Sequence, residues 1–320
     1  MTAIPTTRLV TIFGGSGFLG RHMVRALANE GWRIRVAVRR PNNALFLRPM
    51  GRVGQVQLVK TNVHDEDAVR AALRGADAAI NLVAVLYQTG SQRFDSLHVG
   101  AAERIARAAS ALGVGRLLHV SALGVERNER SRYARTKVLG EQRVREAFPG
   151  ATIFRPSVVF GPEDELFNKF AALARLLPAL PLIGGGKTEF QPVFVGDVAR
   201  ATAKVLNDSS TAGKTYELGG PEILTLKEIM ELVLKETRRN RILVPVPFGL
   251  ARAKAVFLGL LPKPLLTVDQ VRLLETHNVV SDGAPATFRE LGIVPEAAEA
   301  IVPSYLWRFR RHGEFEPAAS

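Results

Sequence analysis

The chain contains no cysteine, which excludes disulfides, thiolate metal centres and cysteine nucleophiles and fits a reducing compartment. It also lacks long apolar runs. The most apolar, "AVFLGLL" (Ala255 to Leu261), is far short of the roughly 20 residues a spanning helix needs. Acidic residues are few for its size: 30 Asp and Glu stand against 43 Lys and Arg, a net charge of +13. A surface of that sign favours an acidic lipid, an acidic protein or a nucleic acid. No nucleic-acid module is visible, and the cations are spread rather than packed into one tract, so nucleic acid is not an expected partner. An apparent strand begins near Arg8 and leaves no room for a signal peptide, so the expected place of work is in or beside the cytoplasm.

What is present is an ordinary globular mixture, 47% hydrophobic and 23% charged over 320 residues. "RLVTIF", "RIRVAVR", "QVQLVK", "DAAINLVAV", "RLLHVSAL" and "GATIFRPSVVFG" read as strands. Helical spacing runs over Phe18 to Gly31, Asp65 to Arg74, Phe94 to Leu112 and Arg132 to Phe148. Alternation of this kind predicts an α/β fold, a doubly wound parallel sheet of the Rossmann type covered by helices on both faces. Residues 1–162 are expected to form the dinucleotide-binding domain. Residues 163–320, where "LLPALPLIGGGK" and "LVPVPFG" break the rhythm, are expected to form a smaller mixed lobe that threads back to the sheet around 189–218.

The stretch "TIFGGSGFLGR" follows the first strand and opens the first helix. Gly14 allows a tight turn, Gly17 lets backbone approach a pyrophosphate, and Gly20 lets helix pack on strand, while the helix N-terminus favours phosphate. Ser16, Phe18 and Leu19 complete this loop. Where an NAD binder places an acid on the ribose, this chain has no Asp or Glu between Glu30 and Asp65. Arg39 and Arg40 stand there instead, with Arg21 nearby, so the expected cofactor is NADP(H), paired through its 2′-phosphate. No metal is expected. Farther on, Tyr133 and Lys137 lie four apart on one helix face, where an ammonium beside a phenol is expected to lower its pKa and make it a proton donor or acceptor.

Together "GGSGFLG", "YARTK", "RPSVVFGP" and "FQPVFVGDVARA" make the chain similar to the extended short-chain dehydrogenase/reductase superfamily. The resemblance implies catalytic roles for Tyr133 and Lys137. It also implies a cofactor pocket lined by Asn62, Val63, Leu82, Val83, Ala84, Ser121, Pro156, Ser157 and Val158. The sequence departs from that pattern at the reaction centre. Leu123 stands where a catalytic hydroxyl is usual, His98 replaces a relay asparagine, and Asn62 replaces an acid beside the adenine.

With "VTIFGGSGFLGRHMVRAL", "LLHVSALG" and "RPSVVFGPED", the chain resembles an atypical branch, the NADPH-binding accessory subunits of respiratory complex I. That resemblance implies a tightly held, non-reacting NADPH, with Tyr133 and Lys137 vestigial or cofactor-binding. It implies a peripheral seat on the cytoplasmic face of a bacterial inner membrane (or the matrix side in a mitochondrion), with other subunits of the complex as partners. The alternative is an NADP-dependent reductase or epimerase acting on a sugar nucleotide or related carbonyl compound. Two segments suit docking to an anionic membrane or a partner. One is "FGLARAKAVFLGLLPKPLL", with Arg252, Lys254 and Lys263 at its edges; the other is "SYLWRFRRHGEF", which mixes Tyr305, Trp307 and Phe309 with Arg308, Arg310 and Arg311.

Overall fold

A computed structural model describes residues 8–261 and 264–313. Its first half is a run of βα units: β1 (Leu9–Phe13), α1 (Phe18–Asn29), β2 (Arg33–Val38), β3 (Val56–Lys60), α2 (Glu66–Leu73), β4 (Ala78–Asn81), α3 (Ala102–Ala111), β5 (Arg116–Val120), α4 (Arg132–Ala147) and β6 (Thr152–Pro156). Local chemistry sets several starts. The Asp65 side chain accepts the Ala68 N–H to open α2, and Ser131 accepts that of Ala134 to open α4.

Beyond β6 come β7 (Val159–Phe160), α5 (Leu166–Leu176), β8 (Ala179–Ile183), β9 (Glu189–Phe190), β10 (Val193–Phe194), α6 (Val195–Asn207) and β11 (Thr215–Leu218). The chain continues through β12 (Leu224–Thr225), α7 (Leu226–Glu236), β13 (Ile242–Val246), α8 (Phe248–Leu258), α9 (Val268–Leu273), α10 (Ala298–Ile301) and α11 (Pro303–Leu306).

The seven-stranded sheet has the order β11-β6-β5-β4-β1-β2-β3, and every pairing in it is parallel. This is the doubly wound fold expected from the sequence. Its order reverses between β1 and β4, which opens a crevice at the carboxyl ends of the strands. One face of the sheet packs on α1 and α6 through Met23, Val24, Leu27, Val198 and Val205. The other packs on α2, α3 and α4 through Val69, Leu73, Ile105, Ala106 and Val144. A third core, around Phe160, Phe167, Ile229, Val233 and Leu306, holds the smaller lobe.

The expected sixth strand, "GATIFRPSVVFG", splits in two. Thr152–Pro156 belongs to the main sheet, whose ladder the Ser157 N–H extends by donating to the Leu218 carbonyl; the Val158 N–H is then taken by a distant side chain described below, and Val159–Phe160 pairs with β10. "DAAINLVAV" ends as a strand at Asn81, whose side chain accepts the Val83 N–H and turns the backbone away. The helix expected from Phe94 opens as a π turn over Asp95–Ala101, a wide turn common near functional sites. There α4 presses so close that a Cβ at Gly140 would sit 2.1 Å from the His98 carbonyl oxygen.

The two expected docking segments fare differently. In α8 the small residues Ala251 and Ala255 face inward, while Leu250, Val256 and Phe257 are exposed, as are Leu260 and Leu261 just beyond it. Its apolar side therefore faces out; Lys263 lies outside the described residues. The aromatic–arginine tail is instead tied into the smaller lobe at its start, with Arg308 and Arg311 left exposed. Tyr305 is buried and donates its hydroxyl to Asp164 at 2.8 Å. Arg308 binds the Pro162 carbonyl and the Asn168 side chain, and Arg310 binds the Glu236 carbonyl. Internal carbonyls needing donors have taken these guanidinium groups. Glu314 and Phe315, the last two residues of that stretch, are outside the described residues.

Candidate functional site

The crevice begins at the loop between β1 and α1. Gly14 has φ +79°, a left-handed conformation that glycine adopts without strain, and its N-terminal neighbour Phe13 accepts the Leu82 N–H across the sheet. A Cβ at Gly20 would lie 2.4 Å from the Gly15 Cα, so only glycine lets α1 sit this close to the loop. Gly15 is as constrained, since its Cβ would meet Val36 at 2.6 Å. At Gly17 the nearest atom to such a Cβ is the Gly14 carbonyl oxygen at 3.3 Å, and no side chain caps the start of α1 there. Replacing Gly20 with alanine should destabilise the protein by roughly 1–3 kcal/mol, the ordinary cost of overpacking. A shift of the urea midpoint read with and without added dinucleotide checks this; an unchanged midpoint would show that the contact relaxes freely.

Around this loop the structure gathers most of the expected pocket. Ser16 is half-buried and Gly17 exposed; Phe18 packs by Gly161, and Leu19 leans on the core. Arg39 and Arg40 are exposed at the end of β2, and among the described residues neither guanidinium has an ion-pair or hydrogen-bond partner. Arg21 pairs with Glu163 at 3.5 Å and lies over the ring of Phe46, in the segment that follows Arg40. Asn62 uses its side chain to accept the His64 N–H, and the Val63 carbonyl takes the Arg104 guanidinium. Leu82 and Val83 are half-buried and Ala84 is exposed. The Ser121 hydroxyl, at the end of β5, is buried without a partner. An open glycine loop, an uncapped helix start, free cations and an orphaned hydroxyl together fit a phosphate-bearing dinucleotide.

The reaction end is arranged differently from the expectation. Lys137 is buried, and its ammonium donates to the Val120 carbonyl at 2.8 Å. Burial pulls its pKa down to about 8, with the Glu141 charge opposing. Tyr133 is buried too, its ring edge-on to Phe94 and His98. Burial pushes the phenol up to about 12, and the charge of Asp269 adds to the rise. The expected lowering does not occur, because loss of water around the phenol and the Asp269 charge both act upward.

His98 is fixed on both ring nitrogens. Nε2 accepts the Val85 N–H at 3.1 Å, so Nδ1 carries the hydrogen and donates to Thr136 Oγ1 at 3.0 Å. Burial and then the Lys137 charge hold its pKa down to about 3. It is a neutral structural histidine rather than a proton carrier.

Leu123, at the position of the usual hydroxyl, is 3% exposed and its N–H donates to the Pro156 carbonyl. The Leu123 carbonyl, the Ser157 hydroxyl and the Val158 N–H all meet one side chain, Asn278, which no sequence pattern pointed to. Asp269 is a second such residue. Its carboxylate accepts the N–H groups of Arg132 and Tyr133 and the Ser131 hydroxyl, so it closes the start of α4 from 136 residues away. Between them, on β6, Arg155 lies among the carboxylates of Glu126, Glu141 and Glu217. With Asn278 and Asp269, the stretch from α9 to Ser281 runs as a strap across the ends of β5 and β6.

Residues 10–219 match the NAD dependent epimerase/dehydratase family. The chain is 37% identical to NADH dehydrogenase (ubiquinone) 1 alpha subcomplex subunit 9, mitochondrial, of Arabidopsis thaliana, over 95% of this chain and 79% of that protein. It is 33% identical to the mitochondrial NADH-ubiquinone oxidoreductase 40 kDa subunit of Neurospora crassa, over 96% of this chain and 80% of the other. Among solved structures it is similar to DesIV, a dTDP-glucose 4,6-dehydratase from Streptomyces venezuelae with NAD and TYD bound. The TM-score is 0.73 at 21% identity, over 95% of this chain and 97% of that one, a likeness of fold.

Proposed function

The chain belongs to the NAD dependent epimerase/dehydratase family, and within it we propose a non-catalytic role: an NADPH-binding accessory subunit of a respiratory NADH:quinone oxidoreductase. One observation carries the reading. The dinucleotide cradle is complete, while Leu123 fills the place of the catalytic hydroxyl and is buried there. Residues 1–162 serve as the dinucleotide-binding domain and 163–320 as the lobe that docks, threading back to the sheet around 189–218 through α6 and β11.

The glycine loop (Gly14, Ser16, Gly17, Phe18, Leu19 and Gly20) holds the pyrophosphate, and Arg39 and Arg40 take the 2′-phosphate. Asn62 and Val63 border the adenine, Leu82, Val83 and Ala84 wall the crevice, and Ser121, Tyr133 and Lys137 meet the nicotinamide ribose. Pro156, Ser157 and Val158 form the far end. Bound nicotinamide would supply a hydride, but here the ligand's role is mass action: whatever binds only the folded state stabilises it. Outward Val256, Phe257 and Leu260 beside Lys254 suit a seat against other subunits or an anionic membrane surface, on the cytoplasmic or matrix side. Among the described residues no helix is long and apolar enough to cross a membrane.

The test is co-purification. Membranes solubilised gently should yield the oxidoreductase with this chain attached, and denaturing the chain should release NADPH. A chain that stays free of the complex, or releases NAD, contradicts the reading. Changing Arg39 and Arg40 together to glutamate should weaken NADPH at least about tenfold while sparing NADH, since a charge-assisted bond contributes about 1.5–3 kcal/mol. Equal loss of both coenzymes would show that the arginines do not read the 2′-phosphate. The retained Tyr133 and Lys137 pair favours the second reading, an NADP-dependent reductase or epimerase on a sugar nucleotide or related carbonyl compound. Turnover that Tyr133→Phe abolishes without change in coenzyme affinity would establish it.

A further inference from the structure

At the far end of the crevice three polar groups face one another. The Val158 N–H and the Ser157 hydroxyl both donate to Asn278 Oδ1, at 3.0 and 2.7 Å. The Asn278 Nδ2 donates to the Leu123 carbonyl at 2.8 Å. Two donors for an oxygen and an acceptor for the adjoining NH2 make up a recess complementary to a primary carboxamide. The chain fills it with its own. The strap's backbone has anchors of its own: the Asn278 N–H donates to the Glu189 carbonyl at 2.8 Å, and the Asn278 carbonyl accepts from the Gln191 N–H at 3.0 Å while also sharing the Ser157 hydroxyl at 3.1 Å. Arg127 holds the next residue by donating to the Val279 carbonyl.

A nicotinamide ring bears the same group, a primary carboxamide. We propose that Asn278 is an internal surrogate for it: its side chain occupies the carboxamide recess and keeps the nicotinamide of a bound dinucleotide from being seated. The inference rests on the reading that the crevice holds NADPH, and it adds which part of that ligand the protein declines to grip. An intramolecular group has no translational freedom to lose, so it outcompetes an equivalent group on a ligand unless that ligand is otherwise held with great precision. The adenosine and pyrophosphate end then supplies the affinity, and the reactive ring is left without the contact that would orient it.

The experiment compares two probes, NADPH and 2′-phospho-ADP-ribose, which lacks the nicotinamide. In the unaltered protein their affinities should agree within about twofold, because the ring contributes nothing. In Asn278→Ala, whose backbone anchors remain, NADPH should bind on the order of tenfold tighter than 2′-phospho-ADP-ribose, the gain expected from a freed set of hydrogen bonds. Asn278→Asp keeps both accepting contacts and loses the donation to Leu123, so it should fall between the two and provides the comparison if the alanine variant folds poorly. A strong preference for NADPH in the unaltered protein, or a ratio that neither variant moves, overturns the proposal while leaving the coenzyme reading intact. Failure of both probes to bind any of the three proteins overturns the coenzyme reading and the proposal with it.

Discussion

Deleting residues 304–320 should unfold the smaller lobe rather than release an intact protein from its partners. Tyr305 and Leu306 are buried in the lobe's core, and removing each forfeits about 2 kcal/mol of burial. Asp164 is buried as well; it loses its phenol donor and keeps the N–H groups of Gly161, Phe167 and Asn168. An under-satisfied buried acceptor adds about 1–3 kcal/mol, for a total of about 5 kcal/mol or more. The urea midpoint of the truncated chain should fall accordingly, and Tyr305→Phe alone should reproduce about 1–3 kcal/mol of it. A truncation that keeps the midpoint but loses its partners would restore the tail to a docking role.

Acid should destabilise the protein well before its carboxylates titrate. His98 and His119 are both buried neutral. Burial, and then the Lys137 charge, hold His98 down to about 3 and His119 well below 6.5. Folded values below the unfolded value mean that the stabilisation is whole above about pH 6.5 and drains away as pH falls, since only the unfolded chain then takes up the proton. At about 1.4 kcal/mol per unit, His98 forfeits about 2 kcal/mol between about pH 6.5 and pH 5, and His119 adds a loss of the same sign. Asp95 also faces His98 and opposes the shift. His98→Asn should remove its own share, about 2 kcal/mol, of that loss. Denaturant midpoints at the two pH values decide the matter, and an acid limb as steep in the variant as in the parent would rule His98 out.

The half of the molecule that builds the crevice was legible because its determinants are local. A strand of buried residues, a glycine every third position and an apolar stripe of period 3.6 each sit within a dozen residues, and β1, the loop and α1 follow from them. Tyr133 and Lys137 were legible for the same reason, one turn apart on α4. Their protonation was not, because it depends on how deeply α4 and the π turn bury them. Leu123 could be read as a missing hydroxyl, yet nothing beside it announced Asn278, 155 residues on, as the group that meets its carbonyl. Tyr305 and its arginines misled in the opposite way. Composition suggested an exposed tail, whereas the buried carboxylate that claims Tyr305 lies 141 residues earlier.

The strap also bears on how the chain is made. Synthesis runs from the N-terminus, and helices and strands up to β6 can form while the remainder is still being added. The start of α4 and the ends of β5 and β6 cannot be finished in that interval, because the side chains that complete them belong to residues 269 and 278. Loop closure over such separations is slow, and the polar groups left open meanwhile can be satisfied only by water. A nascent chain therefore passes through a stage in which the sheet exists and its crevice gapes, and a later segment, residues 269 to 278, shuts it. Truncated messages ending before α9 should yield a fragment open to protease both in the smaller lobe, which then lacks Tyr305 and Leu306, and between β5 and α4.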